Sequence, residues 1–167
     1  MYATEATFFS QRNLWILLWA GVFDRFPDLR VVFTEARADW VPNTLLLLDG
    51  IHAAPFMRNV DSAVKRRPSE IFARQVTIAA SSMGAHEVAL RDQIGRDNLM
   101  WGADYPHVEG TWPRTRKWLA RCFADVPAAD VRTILSGNAA RIYGFDLDEL
   151  GKVASRVGPT MRELNAA

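Results

Sequence analysis

Only three stretches of this chain read as β-strands, and each is short, apolar and followed by a helical pattern. They are residues 29–33, which lead into Thr34-Glu35, residues 75–80, and the run Leu99-Met100-Trp101-Gly102-Ala103. Continuous apolar runs, as opposed to alternating ones, mark strands covered on both faces, which is the habit of a parallel sheet. With helices between them, the architecture is α/β. Three strands in 167 residues are few for a doubly wound domain. They fall far short of the eight strands and roughly 250 residues of a closed (β/α)8 barrel. The chain reads as part of a fold.

The helical segments follow from spacing and punctuation. Residues 8–23 have helical periodicity, with Leu14, Leu17 and Leu18 on one side and Trp15 and Trp19 one turn apart. Asp39 or Asn43 is expected to cap a helix through Leu45 and Leu48, with Gly50 near its stop. Residues 55–68 read as loop, 69–73 as a short helix and 87–94 as another. Pro113 suits the first turn of a helix that runs to about Phe123. Asp130 is expected to cap a helix over 131–135, and Asn138 to cap a last one closed by Gly144. Residues 1–145 then form one unit, and 146–167 a charged, helical, peripheral tail.

Composition excludes several classes. A chain that is 49% hydrophobic with a net charge of +1 is globular and offers no electrostatic grip on nucleic acid. Lys65-Arg66-Arg67 is its one basic cluster and reads as a solvated loop before Pro68. No glycine-rich phosphate loop and no dinucleotide fingerprint occur. The apolar run 14–23 is too short to cross a bilayer, carries Glu5 upstream and ends on Asp24-Arg25, so it reads as a buried helix. No membrane partner is expected. Cys122 is the single cysteine, which excludes an internal disulfide and suits a reducing cytoplasm. Its helical setting between Arg121 and Phe123 favours a packed residue over a reactive thiol.

Asp104 is the leading chemical candidate. It follows the third strand and is stopped at once by Tyr105-Pro106. In α/β folds that end of a strand faces the ligand crevice. Burying an anion there needs a cation, a proton or hydrogen-bond donors to meet it. Asp before an aromatic and a proline is also a common turn opener, so both readings stand on these residues alone.

Three blocks in order point further. They are Gly21-Val22-Phe23-Asp24-Arg25-Phe26-Pro27-Asp28-Leu29-Arg30-Val31-Val32-Phe33-Thr34-Glu35, Asp97-Asn98-Leu99-Met100-Trp101-Gly102-Ala103-Asp104-Tyr105-Pro106-His107, and Ile134-Leu135-Ser136-Gly137-Asn138-Ala139-Ala140-Arg141-Ile142-Tyr143-Gly144. From about Phe8 to Phe145 the chain resembles the C-terminal part of the amidohydrolase-related family, the metal-dependent barrels that include aminocarboxymuconate-semialdehyde decarboxylase. The resemblance implies a partial TIM (β/α)8 barrel, holding about the last three βα units plus C-terminal helices. It also implies a metal site at the C-terminal strand ends. By it, Asp104 is a ligand of Zn or Mn that also takes part in proton transfer.

The chain departs from the family where the other ligands belong. Its histidines are His52, His86 and His107, with no His-x-His pair, and Glu35 stands where a histidine is frequent. The resemblance therefore makes Asp104 and Glu35 the catalytic candidates. His107 and Trp112 become substrate contacts, and His86 a residue of the same rim. His52 is expected in a solvent-exposed loop, and Trp101 in the core. The implied activity is a metal-dependent hydrolase or non-oxidative decarboxylase acting on a small carboxylate- or amide-bearing molecule. With one strong ligand against the three a catalytic zinc needs, the chain alone is expected to be inactive and to hold metal weakly. The alternative is a non-catalytic half-barrel that works by association, as an oligomer or with a complementary chain.

Overall fold

The computed structural model describes residues 2–59 and 63–164. Helix α1 (Tyr2–Trp19) begins the chain and buries Leu14 and Leu18 completely. It does not run on to residue 23 as its periodicity predicts. Gly21 takes a left-handed conformation at φ 65°, where a Cβ would lie 2.6 Å from the Ala63 carbonyl oxygen. That break starts a separate short helix, α2 (Val22–Arg25), which buries Phe23.

Three parallel strands follow: β1 (Val31–Ala36), β2 (Val76–Ser81) and β3 (Leu99–Gly102), in spatial order β1-β2-β3. Val31 pairs with Val76, and Ile78 pairs with both Phe33 and Leu99. The central strand is the buried one: Val76, Thr77, Ile78 and Ala80 are all closed to water. That is the burial expected of an apolar run covered on both faces. Between β1 and β2 lie α3 (Val41–Ala53) and α4 (Pro68–Gln75); between β2 and β3 lie α5 (Ala85–Ala89) and α6 (Arg91–Ile94). After β3 come α7 (Thr115–Phe123) and α8 (Ala128–Arg132). A π-type turn at Thr133–Gly137 then joins α8 to α9 (Asn138–Tyr143) in one helical stretch. Helices α10 (Leu147–Val157) and α11 (Met161–Leu164) end the described chain.

The core lies between the sheet and its helices, where Phe23, Phe72, Ile78, Leu99, Phe123 and Ile134 are each 1% exposed or less. Each such side chain contributes about 1.5–3 kcal/mol by leaving water. Cys122 is buried in it, and burial pushes its thiol above the ordinary value. That is the packed residue expected, not a nucleophile.

Several expected caps turn out to be tertiary clamps. Asp130 lies inside α8, buried, with Arg91 at 3.0 Å and Arg96 at 3.3 Å. Asn138 is also buried and donates from Nδ2 to the Arg96 and Leu99 carbonyls at 2.7 and 2.8 Å, fixing α9 to the start of β3. Neither Asp39 nor Asn43 caps α3: Trp40 precedes it, and the helix passes through Gly50 to Ala53. The helix expected over 87–94 is broken at Leu90. The basic cluster is only partly solvated. Arg66 donates to Asp24 at 2.9 Å, to the Phe23 carbonyl at 3.0 Å and to Gln75 at 3.1 Å, and so ties the segment before α4 to α2. His52 sits in α3, half-buried, not in an exposed loop, with Nε2 3.4 Å from the Val64 carbonyl.

Candidate active site

Each of the three strands has strained backbone near its C-terminal end. Glu35, Ser82 and Asp104 have φ of 50°, 50° and 59°, and no other non-glycine described residue has positive φ. Glu35 falls out of the ladder because Thr34 pairs with Ala79 while Ala36 pairs with Ala80, a bulge that turns its side chain out. Ser82 follows β2 and donates its N–H to the Gly102 carbonyl at 2.8 Å. Asp104 lies two residues past β3. Left-handed non-glycine residues cost of order 1 kcal/mol or more each and gather where function holds them.

The loop from Ala103 to Thr111 presents the donors. Thr111 N–H bonds the Ala103 carbonyl at 3.0 Å, His107 N–H the Asp104 carbonyl at 2.8 Å, and Gly110 N–H the His107 carbonyl at 3.1 Å. Only glycine fits at position 110, since a Cβ there would lie 2.8 to 3.0 Å from the carbonyl oxygens of Ala103, Asp104 and His107. The Tyr105-Pro106 and Trp112-Pro113 peptide bonds are cis. So closed, the loop sets His107 Nδ1 3.6 Å from an Asp104 carboxylate oxygen and 3.4 Å from Glu109 Oε1. The three donor atoms lie within 4.8 Å of one another. Two carboxylates and an imidazole form an N/O set of the kind that suits Zn or Mn. Asp104 is the sheltered member; His107 and Glu109 are exposed.

Of the residues singled out in the sequence, Asp104 and His107 meet. Glu35 does not join them: β1 and β3 are two strand spacings apart, about 10 Å, and its side chain is exposed. Trp112 stands beside the loop, two-thirds exposed, its ring edge-on to Tyr105 with centroids 5.9 Å apart. Trp101 packs against the core, as expected. Glu109 was not among the sequence candidates, although its signal was present. Asp104, His107 and Glu109 share one Pro- and Gly-punctuated loop.

A second cluster braces the rim. Buried Glu87 accepts the Ala38 N–H at 2.8 Å and the Gly84 N–H at 2.9 Å, which locks the loop after β1 to the loop after β2. Arg37 bonds Asp39 at 3.1 and 3.3 Å and lies 2.6 Å from His86 Nε2, so His86 belongs to this brace. Burial raises the Asp39 carboxyl, but Arg37's hydrogen bond and charge outweigh it and hold the group below its ordinary value. Glu87, too, escaped sequence reasoning. The readable sign was Gly84-x-x-Glu87, in which the third helical residue bonds back to the N-cap N–H.

Outside the Asp104 loop runs a groove of about 420 Å³, walled by Glu109, Thr111, Arg114, Lys117, Trp118 and Arg121. Arg121 lies over the Trp118 ring at 5.3 Å. Among the described residues no carboxylate pairs with Arg114 or Lys117, so the groove is net positive beside the candidate ligands.

The amidohydrolase family pattern matches residues 9–145. This chain belongs to the amidohydrolase family. It is similar to a 5-carboxyvanillate decarboxylase of Sphingomonas paucimobilis, with 27% identity, a TM-score of 0.65, and coverage of 82% of this chain and 40% of that one. An amidohydrolase of Mycobacterium avium subsp. paratuberculosis gives 23%, 0.67, 79% and 32% in the same order. A manganese-bound dihydroxybenzoic acid decarboxylase of Polaromonas gives 18%, 0.63, 83% and 40%. No curated protein matches the sequence. The chain thus spans 40% or less of the length of these relatives. The fold is a partial TIM barrel. Among the described residues no helix is long and apolar enough to cross a membrane.

Proposed function

We propose that this amidohydrolase chain contributes the Asp104 wall of a divalent-metal site that removes CO₂ from a small aromatic carboxylic acid. The observation that carries the reading is the meeting of Asp104, His107 and Glu109 at the end of β3, within 4.8 Å. Support for the substrate class comes from Arg114 and Lys117 in the groove beside the loop, which no carboxylate pairs among the described residues. The decarboxylase relatives, named for 5-carboxyvanillate and dihydroxybenzoic acid, agree. A bound Zn or Mn would polarise an oxygen ligand and supply Lewis-acid charge. Asp104 would be among the residues that hold such an ion, and its carboxylate is the group assigned to take up and release a proton. Glu35, across the strand ends, is the second candidate for proton handling. His107 and Glu109 complete the donor set, and Trp112 with Tyr105 walls the aromatic ring. The lone Cys122 fits a reducing compartment such as the cytoplasm.

Two of the three donors are exposed on one loop, so metal binding by this chain is weak and exchangeable. Mn²⁺ titrated into the dialysed chain is expected to broaden the amide resonances of residues 104–109, and Asp104→Asn to abolish the effect. A firmly held stoichiometric ion after dialysis would contradict the weak binding, and broadening elsewhere would contradict the assignment. With the rest of a barrel supplied as a second chain, Asp104→Asn should lower kcat by about 10²- to 10⁴-fold. His107→Gln should cost less. A near-parental Asp104→Asn rate would reduce Asp104 to a turn residue.

A second reading is favoured by one observation: among the described residues, β1 and β3 each pair on one side only. On it, the chain is a half-barrel that acts by associating with another chain through those edges. Metal-independent capture of a barrel partner by both the parent and Asp104→Asn would favour it.

A further inference from the structure

At the end of the sheet opposite Asp104, where the strands begin, lies a second groove of about 380 Å³. Its rim is charged and its floor is buried. Arg30 stands one residue before β1, Arg74 in α4, Asp97 just before β3 and Arg141 in α9. Beneath them Thr77 and Asn98 are 7% and 8% exposed. Elements far apart in the sequence thus bring three guanidiniums to one concavity. Arg141 Nη2 donates to the Asp97 carbonyl at 2.7 Å and to Asn138 Oδ1 at 3.2 Å, and Arg30 Nη1 to the Leu29 carbonyl at 3.2 Å. Asn98 donates from Nδ2 to the Val76 and Ala73 carbonyls at 2.7 and 3.0 Å, which fixes the end of α4 beside β3. All these acceptors are neutral. Among the described residues no carboxylate pairs with Arg30, Arg74 or Arg141, whereas Arg66, Arg91, Arg96 and Arg116 each have one. Thr77, though more than nine-tenths buried, has a hydroxyl that no described residue bonds.

We propose that this groove binds a phosphate dianion, as the free ion or on a small phosphate ester. Charge selects the ligand. Three guanidiniums against the carboxylate of Asp97 leave a surplus of two positive charges, which a dianion cancels and a single carboxylate only halves. The planar fork of arginine matches phosphate oxygens, and each fork here carries more donors than its bonds within the chain use. The Thr77 hydroxyl adds a neutral donor from below. Position selects a ligand over the remainder of a barrel. The groove lies under the start of β2, which is flanked on both sides by strands of this chain, β1 and β3. Further strands would join at the outer sides of β1 and β3, not beneath the central strand. Barrel chemistry belongs to the C-terminal ends of the strands, and this site is at the other end. Its anion is therefore an effector that ties α4, α9 and the start of β1 together, and not the substrate of the Asp104 site.

Inorganic phosphate titrated into the metal-free, full 167-residue chain at constant ionic strength tests this. Saturable shifts are expected in the amide resonances of residues 30, 74, 77, 97, 98 and 141, with a rise in Tm. Arg74 is the cleanest position to change, because its guanidinium bonds no described residue. Arg74→Glu should raise the dissociation constant at least tenfold and Arg74→Gln by less, both with unchanged circular dichroism. Asp97→Asn, which enlarges the positive surplus, should lower it. Acetate should bind at least tenfold more weakly than phosphate. A parallel titration with glycerol phosphate separates the two sources: tighter binding than phosphate assigns the groove to an ester, and equal or weaker binding to the free ion. No saturable shift, or shifts confined to the groove of Arg114, Lys117 and Arg121, overturns the proposal. So does parental affinity in both Arg74 variants. Acetate binding as tightly as phosphate overturns the assignment to a dianion.

Discussion

Asp104 illustrates how much a single residue's setting adds to its identity. In the sequence it is a carboxylate before a proline, equally a ligand and a turn opener. In the structure its φ of 59° joins those of Glu35 and Ser82, so all three strand ends carry the same strain. The three lie within two residues of the C-terminal ends of their strands. Glu87 is the quieter counterpart, a buried carboxylate that satisfies two backbone N–H groups from different loops. Glu87→Gln keeps the shape but leaves one of those donors facing an amide NH₂. It should cost about 1.5–3 kcal/mol in chemical denaturation, the range for hydrogen bonds to a charged group. A loss below about 0.5 kcal/mol, the level of an ordinary surface change, would mean that the brace does not hold the rim.

At the scale of elements, the loop after β3 and the broken helices share one cause. Close approach of backbone to backbone decides where the chain turns. Gly21 ends α1 because the Ala63 carbonyl occupies the space a side chain would need. Gly110 is held between three carbonyl oxygens of its own loop in the same way. Gly110→Ala should force Asp104 and His107 apart and abolish Mn²⁺ broadening at residues 104–109, while Tm falls by only a few degrees. Retention of the broadening at full strength would show that the donors meet without the tight loop. A variant with lost cooperativity would place the loop among the determinants of the core.

For the whole molecule, the partly buried pair Asp24–Arg66 joins α2 to the segment ahead of α4 across 42 residues. Burial raises the Asp24 carboxyl, yet the Lys65 N–H and the Arg66 guanidinium hold it below 3.8, its ordinary value. A lowered folded value gives stability that is complete above the unfolded value and is lost as pH falls through the folded one. Asp24→Asn should therefore destabilise the chain by about 1–3 kcal/mol at neutral pH. The gap from the parent should shrink as the pH falls below 3.8. Denaturation measured from neutral to acid pH checks this. A gap that is constant across that range would assign the loss to packing, not to the charge.

Readings that rest on neighbours in the chain came through from local chemistry. Apolar runs set three parallel strands, helical periodicity set most helices, and three ordered blocks marked the family. Asp104 stood out as a candidate because a strand ending on a carboxylate is a local anomaly. Glu109, Glu87 and Arg37 did not, since their roles depend on which loops the sheet order brings side by side. The caps read at Asp130 and Asn138 failed for the same reason. Those residues can bond their own helix, but Arg91 and Arg96 offer Asp130 buried ion pairs, and the Leu99 carbonyl draws Asn138 to the sheet. A polar side chain takes whichever partner the interior leaves unsatisfied, and only the tertiary structure decides which partner that is.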